Sequence, residues 1–504
     1  MARLRFVIFA ACTLTLAACS GGGGGQTDPS SASGSPAAPP STPPPNSPAP
    51  PPPATPIAQT VIYETFISDT ESNLFAIDED GANSRTLAST AQREHFRGLS
   101  LDGWVIYDRG VSGGGYELVS VRVADGATRV LDASSNGKLF RGVSADNRVI
   151  YQVSSASAGG INSVRPDGST PVVLVDEPSA NAEFIDATPD GRVLYQLCRR
   201  VTGDVPRCEP DGLYSVAADG TDRRRLASGL PRVALTTADG RVLYEAGGDI
   251  FSIPAGGGAA VTLADSPDNE WDPRLLPDGR VLYARQVAGQ WDIYIVNADG
   301  SGSRPLLTSA DAEFISGITP GGRIIYARRD TSGQDNLYAV NADGTGLAVL
   351  GDSTDGESVR RISGERVVYS TRRTAGMAQD DLYSVRLDGT DLRILADSQE
   401  FEWFEDMAPD GRVVYMRCIA APGGPCGDPT AQSDLYSVPI NGVGATALAA
   451  TSEFEVFRAV TANNRVIYER INNGQHDIAS VKTDGTGTRP LTNSAADERY
   501  QGLH

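Results

Sequence analysis

Short apolar runs separated by polar turns recur along the chain from residue 58 onward. The stretch Leu276 to Thr308 shows the pattern, with Asp-Gly pairs at 278–279 and 299–300 and apolar runs at 281–283 and 293–296. Runs of β-branched and aromatic residues of this length, separated by Asp-Gly turns, indicate antiparallel hairpins. The stretch is therefore predicted to form three antiparallel strands.

A tyrosine ends one apolar run of each repeat, at intervals of 39 to 53 residues. This is the period of a β-propeller with four strands in each sheet, or blade. The runs are apolar at consecutive positions, as expected for sheets that are covered on both faces. The tyrosines are therefore predicted to be core residues. They are Tyr63, Tyr107, Tyr151, Tyr195, Tyr244, Tyr283, Tyr326, Tyr369, Tyr415 and Tyr468.

The order of the motifs adds a family resemblance. Pro-Asp-Gly at 277–279, an apolar strand, Asp-Ile-Tyr at 292–294 and Asp-Gly-Ser at 299–301 resemble the repeat of TolB-type β-propellers. The resemblance implies an all-β propeller in the bacterial cell envelope, where TolB-like proteins associate with other envelope proteins. The α/β domain that precedes the propeller of TolB is replaced here by a Pro-rich segment, so a Tol-Pal role is not carried over.

The two ends of the repeat region predict how the propeller closes. The first repeat begins at Val61-Ile62-Tyr63 without the inner strand that precedes this motif elsewhere, and the last repeat ends with such a strand at 498–504. We expect the C-terminal strand to complete the first blade, because this removes two exposed sheet edges. The fold prediction is a β-propeller of about ten four-stranded antiparallel blades in one closed ring. Two smaller rings are the alternative.

The N-terminus predicts export. Arg3 and Arg5 precede an apolar run that is too short to span a membrane, and Leu-Ala-Ala-Cys at 16–19 resembles the bacterial lipobox. We expect a signal peptide at 1–18, lipidation of Cys19, a disordered Gly/Pro/Ser-rich tether at 19–57 and the propeller at 58–504. The alternative is an ordinary signal peptide. Ser20 points by resemblance to the outer membrane, with the domain facing the periplasm or the exterior and the lipid as its only membrane attachment.

The formal charge of −20 makes nucleic acid an improbable partner, because an acidic surface repels phosphates. We expect a monomer without a cofactor or a metal. Four cysteines fall in pairs that bracket the same loop in two repeats, Cys198 with Cys208 and Cys418 with Cys426. An oxidising compartment permits two disulfides across these loops. A metal site built from all four cysteines is the rival reading, and it requires two distant repeats to meet.

Several patterns suggest chemistry but have simpler explanations. Gly110 to Gly114 matches G-x-S-x-G by letter, yet it lies in a hairpin loop rather than between a strand and a helix. Asp78 to Gly81 resembles part of a calcium loop and is explained by a turn. The three histidines are far apart in sequence; His95 and His504 are the two that ring closure could bring near each other. No catalytic site is predicted.

The inner strands carry the best candidate site. Glutamate occupies their first position in six repeats. Arg97, Arg458 and Gln501 stand three residues after it, and Arg141 occupies the matching position of a repeat without the glutamate. These residues belong to blades two, three, ten and one, which would be consecutive in a closed ring. Clustered arginines suit a carboxylate or a phosphate. The alternative is a structural belt in which each arginine pairs with a glutamate of a neighbouring inner strand. The glutamates are Glu94, Glu270, Glu313, Glu402, Glu455 and Glu498.

Trp271 and Trp403 lie at blade entries, on the face that carries the variable loops. Exposed aromatic residues on a rigid platform suit recognition of protein or sugar, whereas packing between blades is the common alternative. The predicted function is a lipid-anchored envelope propeller that binds or scaffolds an unidentified envelope protein or glycan. A carbohydrate-active enzyme such as a polysaccharide lyase or hydrolase is the alternative.

Overall fold

The computed structural model describes residues 58–504, apart from residues 113, 155–158, 179, 202–206, 374–378 and 420–431. The predicted signal peptide, Cys19 and the tether lie outside the described residues. The described residues contain forty β-strands and no helix. They therefore include no helix that could cross a membrane.

The strands form ten four-stranded antiparallel units, numbered here as sheets 1 to 10 in chain order. Sheets 3 and 4 are also joined by one parallel residue pair, as are sheets 9 and 10. The first strands are β40 (Asp497–Leu503), β4 (Glu94–Leu99), β8 (Gly137–Val143), β12 (Ala180–Ala187), β16 (Arg232–Thr236), β20 (Glu270–Leu275), β24 (Ala312–Ile318), β28 (Gly356–Ser363), β32 (Phe401–Met407) and β36 (Phe454–Val460).

The second strands are β1 (Thr60–Ser68), β5 (Trp104–Gly110), β9 (Val149–Ser154), β13 (Arg192–Val201), β17 (Arg241–Ala246), β21 (Val281–Val287), β25 (Ile324–Arg329), β29 (Arg366–Arg373), β33 (Arg412–Ile419) and β37 (Arg465–Asn472). The third strands are β2 (Glu71–Asp78), β6 (Tyr116–Arg122), β10 (Gly159–Val164), β14 (Arg207–Ala217), β18 (Asp249–Pro254), β22 (Gln290–Val296), β26 (Asp335–Val340), β30 (Gln379–Arg386), β34 (Gln432–Pro439) and β38 (Gln475–Lys482). The fourth strands are β3 (Arg85–Ala88), β7 (Thr128–Asp132), β11 (Val172–Val175), β15 (Arg224–Ser228), β19 (Val261–Ala264), β23 (Arg304–Leu307), β27 (Ala348–Gly351), β31 (Arg393–Ala396), β35 (Thr446–Ala449) and β39 (Arg489–Pro490).

The stretch Leu276 to Thr308 forms β21, β22 and β23, so the three predicted strands are confirmed. Its first turn is longer than the predicted two-residue loop. The amide of Gly279 donates to the carbonyl of Leu276 (2.9 Å), and Gly279 has a φ of 87°. Asp278-Gly279 thus fills the last two positions of a four-residue turn, and glycine is favoured where φ is positive.

The C-terminal strand completes the first sheet, as predicted. β40 pairs antiparallel with β1, and Val61 lies opposite Leu503. The main chains of Thr60 and His504 exchange two hydrogen bonds of 2.9 and 2.8 Å. This pairing covers an edge of β1 that the first repeat leaves without a partner.

Hydrophobic clusters join every sheet to the next in the order 1 to 10. A tenth cluster joins sheet 10 to sheet 1 through Ile467 and Ile478 on one side and Val61 and Tyr63 on the other. The hydroxyl of Ser480 in sheet 10 also donates to the carbonyl of Glu79 beyond β2 (2.7 Å). Each sheet therefore shares a hydrophobic cluster with the next one in the chain, and sheet 10 shares one with sheet 1.

The ten repeat tyrosines are all buried, so their prediction as core residues is confirmed. Seven of them stack on an aromatic ring of the third strand, with centroids 5.3 to 5.6 Å apart. Each such pair adds about 0.5–1.5 kcal/mol beyond the area that it buries. The tyrosines are explained by folding alone.

The strand order gives the molecule two different faces. Here the loop face denotes the connections from second to third strands and from fourth strands to the next first strand; the turn face denotes the other two kinds of connection. First strands of neighbouring sheets contact each other, for example β4 with β8 and β8 with β12, so they are the predicted inner strands. Each inner strand begins at the loop face and runs toward the turn face.

Candidate functional site on the inner strands and the loop face

Every inner strand contains a β-bulge near its middle, where the register against the second strand shifts. A bulge adds an unpaired residue and re-aims its side chain, which is a common device beside binding sites. In nine sheets the extra residue is Gln501, Arg97, Arg141, Ile185, Ala234, Ser316, Arg360, Glu405 or Arg458, and in sheet 6 the bulge comprises Asp272 and Pro273.

The four residues predicted from the repeat alignment, Arg97, Arg141, Arg458 and Gln501, all occupy the bulge position. Sheets 10, 1, 2 and 3 are neighbours, as the prediction required. The prediction missed Arg360 in sheet 8, which has the same bulge position. Its signal was present in the sequence, because Glu357 precedes Arg360 by the same three residues that separate Glu94 from Arg97.

Two of the predicted arginines form ion pairs inside their own sheets. Arg97 Nη2 lies 2.5 Å from Oδ2 of Asp108 on β5, and Arg458 Nη2 lies 2.5 Å from Oε2 of Glu469 on β37. Both carboxylates are buried. Burial raises the pKa of Asp108, and the adjacent Arg97 opposes that shift. The partners belong to second strands, which differs from the predicted belt between neighbouring inner strands.

Glu469 joins sheet 10 to sheet 1. Its Oε2 contacts Arg458 and also His476, whose Nδ1 lies 2.8 Å away. The main-chain amide of Tyr500 in β40 donates to Glu469 Oε1 (2.8 Å). Burial raises the pKa of the Tyr500 hydroxyl. One buried carboxylate thus connects three groups at the junction where the C-terminal strand docks.

His95 and Glu64 form a second pair beside this junction. His95 Nδ1 on β4 lies 3.0 Å from Oε2 of Glu64 on β1. The His95 side chain is 34% exposed, whereas that of Glu64 is fully buried. His504 is elsewhere, against Gly103 in the turn between β4 and β5. The structure therefore gives His95 a carboxylate partner instead of a second histidine.

The remaining predicted residues have fewer ionic partners. Arg141 is exposed and donates through Nε and Nη2 to Oε1 of Gln152 (3.0 and 2.5 Å). Gln501 is half-buried. Trp271 is partly exposed and its ring lies 5.4 Å from that of Trp291. Trp403 is half-buried and stacks on Phe401 at 5.6 Å.

The six glutamates at the start of the inner strands are all buried. For five of the six, and for Glu357, a serine or threonine four residues earlier donates its hydroxyl to the carboxylate. Glu357 has the same arrangement, and the prediction missed it. Burial raises the pKa of six of these carboxyl groups, to about 7 for Glu455; the other five are Glu94, Glu270, Glu313, Glu357 and Glu402.

Acidic residues of the third strands face several of these glutamates across sheet junctions. Asp292 of sheet 6 lies within hydrogen-bonding reach of Glu313 in sheet 7, and Asp477 of sheet 10 lies within reach of Glu498 in sheet 1. Burial raises the pKa of both aspartates. Two carboxyl groups in such contact are expected to share a proton. Within the described residues, no group of three or more acidic, histidine or cysteine side chains is arranged to hold a metal ion.

An open polar cleft of about 620 Å³ lies on the loop face between sheets 7 and 8. Asp380 forms part of its lining and is buried, and two arginines converge on it. Arg372 Nε lies 3.3 Å from Asp380 Oδ1, and Arg360 Nη2 lies 3.5 Å from Asp380 Oδ2. Arg360 Nε also donates to the hydroxyl of Ser370 (3.0 Å). Arg360 therefore lines a cleft, whereas Arg97 and Arg458 at the same bulge position each pair with one carboxylate.

The aspartates of the turn face differ from the cleft residues, because their hydrogen bonds are made within their own turns. Aspartates of its Asp-Gly turns accept hydrogen bonds from the amide two residues later, as Asp299 does from Ser301 (2.9 Å) and Asp343 from Thr345 (2.8 Å). The Ser301 and Thr345 hydroxyls bind the same carboxylates, and these bonds lower the pKa of both aspartates. The calcium-like residue Asp78 accepts hydrogen bonds from Thr60 and Asn83, which is consistent with a turn.

The cysteine prediction is only partly within the described residues. Cys198 and Cys208 lie on the paired strands β13 and β14, and Cys418 is a buried residue of β33. The side chain of Cys208 and all of Cys426 lie outside the described residues. Ser112 lies in the turn between the antiparallel strands β5 and β6, which is not the strand-to-helix setting of a nucleophile elbow. The two disulfides remain predictions.

No protein-family model matches the chain, and no curated protein matches it. Solved structures that match the chain include a putative TolB from Agrobacterium tumefaciens, with 15% identity, a TM-score of 0.25 and coverage of 53% of this chain and 83% of that chain. Dipeptidyl peptidase 4 of Porphyromonas gingivalis has 12% identity, a TM-score of 0.44 and coverage of 71% and 63%.

A puromycin-hydrolyzing peptidase of Mycobacterium tuberculosis has 14% identity, a TM-score of 0.34 and coverage of 66% of this chain and 59% of that chain. The chain thus spans about three-fifths of the length of these two peptidases. The fold assignment rests on the ten four-stranded sheets themselves, and the comparisons assign no activity to this chain.

Proposed function

We propose that the protein is a lipid-anchored cell-envelope β-propeller that binds an envelope protein or glycan through its loop face. The observation that carries the proposal is the cleft between sheets 7 and 8, where Arg360 and Arg372 meet one buried aspartate. Binding residues are commonly placed on loops that a rigid scaffold positions. The lipobox-like sequence before Cys19 and the Pro-rich tether supply the expected attachment to the envelope.

The contrast between the faces supports the choice of the loop face. The aspartates of the turn face bind their own turns, whereas Trp271 and the cleft present partly exposed side chains on or near the loop face. Aromatic and arginine side chains are the residue types most enriched in binding hot spots. A partner is therefore expected to contact the loop face.

A carbohydrate-active enzyme is the second candidate. The pair of His95 and Glu64 favours it, because a carboxylate that orients an accessible imidazole is a common arrangement for proton transfer. Under this alternative His95 would remove or deliver the proton, and Glu64 would hold its ring. The Arg458–Glu469 pair beside it would then be structural.

One experiment compares the two candidates. The full-length protein is used as bait in envelope extract, and the same preparation is screened for degradation of envelope glycans. Binding predicts a captured partner that is weakened by Trp271→Ala and unaffected by Val443→Ala, an exposed apolar residue of the turn face. Turnover that His95→Gln abolishes, without any captured partner, would instead establish the enzyme and reject the binding role.

A further inference from the structure

The cleft between sheets 7 and 8 has an uneven distribution of charge. Arg360 and Arg372 both contact Asp380, so two guanidinium groups share one carboxylate. The nearby Asp335 is already paired with Arg329 through hydrogen bonds of 2.8 and 2.7 Å. Among the described side chains in direct contact, two guanidinium groups therefore meet a single carboxylate, Asp380.

The second of these arginines is built to reach a ligand. The Arg372 side chain is 66% exposed, and it contacts Asp380 through Nε. A guanidinium offers five N–H donors, so the outer edge of Arg372 can form a two-pronged contact with a carboxylate or a phosphate. Arg360 is held more firmly, because the Ser370 hydroxyl and Asp380 both bind it.

The position of Asp380 explains why both arginines point into the cleft. Asp380 is buried on β30, with a side chain that is 4% exposed, while Arg360 lies on the inner strand and Arg372 on the second strand of the same sheet. A buried carboxylate strongly favours an ionic partner. Asp380 therefore anchors two cations from two strands and leaves their remaining donors toward solvent.

Glu357 is the other acidic group of the lining. Its Oε1 accepts a hydrogen bond from the Ser353 hydroxyl (2.5 Å), while its buried Oε2 has no hydrogen-bond donor among the described residues. Burial raises the pKa of Glu357. A protonated Glu357 would carry no charge and would not cancel the charge of the arginines.

We infer that this cleft binds a ligand through an anionic group, a carboxylate or a phosphate, held by Arg372 and Arg360. The inference rests on the proposed binding function and names the chemistry that the loop face recognises. In a chain of net charge −20 the arginine pair is a local site for an anion. Specificity for the anion comes from the fork geometry of the guanidinium, which a lysine would not reproduce.

The test is calorimetric titration of the full-length protein with three probes: glucuronate, inorganic phosphate and the neutral sugar glucose. Binding of glucuronate or phosphate but not glucose is expected, and the stronger of the two anions identifies the group. Arg372→Gln and Arg360→Gln are each expected to weaken that binding about tenfold. Arg274→Gln is the matched control, because Arg274 is an exposed inner-strand arginine with its own partner, Asp272.

Asp380→Asn separates a ligand site from a structural cluster. Removing the internal carboxylate frees both guanidiniums, so anion binding is expected to tighten about threefold or more even if thermal stability falls. Binding that is absent in the wild type, equal for glucose, or unchanged in both Asp380→Asn and Arg372→Gln would overturn the inference. If an envelope partner is still captured under those conditions, the binding function survives and only the anionic chemistry is rejected.

Discussion

The carboxyl groups of Asp292 and Glu313 lie within hydrogen-bonding reach of each other across the junction between sheets 6 and 7. The junction between sheets 1 and 2 has Asn73 in the corresponding place. With its amide oriented to suit its neighbours, Asn73 donates from Nδ2 to Glu94 Oε2 over 3.2 Å. The amide hydrogen of Asn73 between sheets 1 and 2 thus takes the place of the proton that Asp292 and Glu313 are expected to share between sheets 6 and 7.

The shared protons predict that stability falls as pH rises. Burial raises the pKa of Asp292, Glu313 and Glu455 in the folded protein, to about 7 for Glu455. A carboxyl group whose pKa is higher in the folded protein than in the unfolded chain stabilises the fold when it is protonated. This stabilisation is fully present below the pKa of the unfolded chain, near 4, and is lost as pH rises through the pKa of the folded protein. We expect a lower melting temperature at pH 8 than at pH 5, measured by calorimetry.

Asp292→Asn provides the matching test of the acid pair. Asparagine supplies the hydrogen permanently, as Asn73 does, so the variant should lose less stability between pH 5 and pH 8 than the wild type does. Asp299→Asn is the control, because Asp299 lies in an exposed turn and hydrogen bonds lower its pKa. An Asp292→Asn protein whose pH dependence equals that of the wild type would contradict the shared proton.

The pair of Arg458 and Glu469 is predicted to stabilise the junction between sheets 10 and 1. Arg458→Ala leaves a buried carboxylate with two of its three partners, and we expect a loss of about 1–3 kcal/mol in the free energy of unfolding. Arg458→Ala combined with Glu469→Gln should cost less than the sum of the single changes, measured by denaturant titration. Partner capture that is lost without a change in stability would instead make Arg458 a ligand residue.

Deletion of residues 497–504 is predicted to expose the edge of β1. The deletion removes β40, whose Tyr500 and Leu503 pack against Val61 and Tyr63. We expect aggregation or a fall in melting temperature of about 5 °C or more. A synthetic peptide of the deleted residues should restore stability and a scrambled peptide should not. Normal stability of the shortened chain would show that β40 is dispensable.

The two cysteine pairs are predicted to form disulfides across their loops. Mass spectrometry of the unreduced protein should show Cys198 linked to Cys208 and Cys418 linked to Cys426, with no reaction toward an alkylating agent before reduction. Each bridge is expected to stabilise the fold by roughly 2–3 kcal/mol. Cys198→Ser should expose one reactive thiol at Cys208, and reactive thiols at all four positions in the wild type would refute both bridges.

Lipidation is predicted at Cys19. A clickable fatty-acid analogue should label the wild-type protein in bacterial cells and should fail to label Cys19→Ser, which would also leave the membrane fraction. Cys12→Ser is the control, since Cys12 belongs to the expected signal peptide. Labelling that persists in Cys19→Ser would exclude attachment at this residue.

Local patterns were sufficient to predict the strands and turns. The tyrosine of each repeat, the glycine of each Asp-Gly turn and the bulge residues Arg97 and Arg458 stand where the repeat alignment placed them. These features depend on neighbours a few residues away, through the alternation of strand side chains and the positive φ that glycine tolerates. The sequence also predicted the pairing of β40 with β1, because the first repeat lacks an inner strand and the last repeat ends with an additional one.

The sequence did not predict which charged and polar side chains pair with each other in space. The glutamates at the start of the inner strands are buried, and the serine or threonine that binds such a carboxylate, as Ser266 binds Glu270, could not be assigned from the pattern. The alternative of a structural belt paired Arg97 with a glutamate of a neighbouring inner strand, whereas Arg97 pairs with Asp108 of its own sheet. A bulge changes the direction of a side chain by an amount that the residue order does not specify.

By itself, the sequence determined the periodic strands, their turns and the sheet that the C-terminal strand completes, because each follows from short-range geometry and from the need to cover a sheet edge. Only the tertiary structure decided which charges neutralise one another and which remain available. Arg360, Arg372 and Asp380 lie on three strands and become a cleft only when the sheet forms and sheet 7 packs beside it. Electrostatic pairing depends on distances in space and on burial, and both are set by the packed sheets.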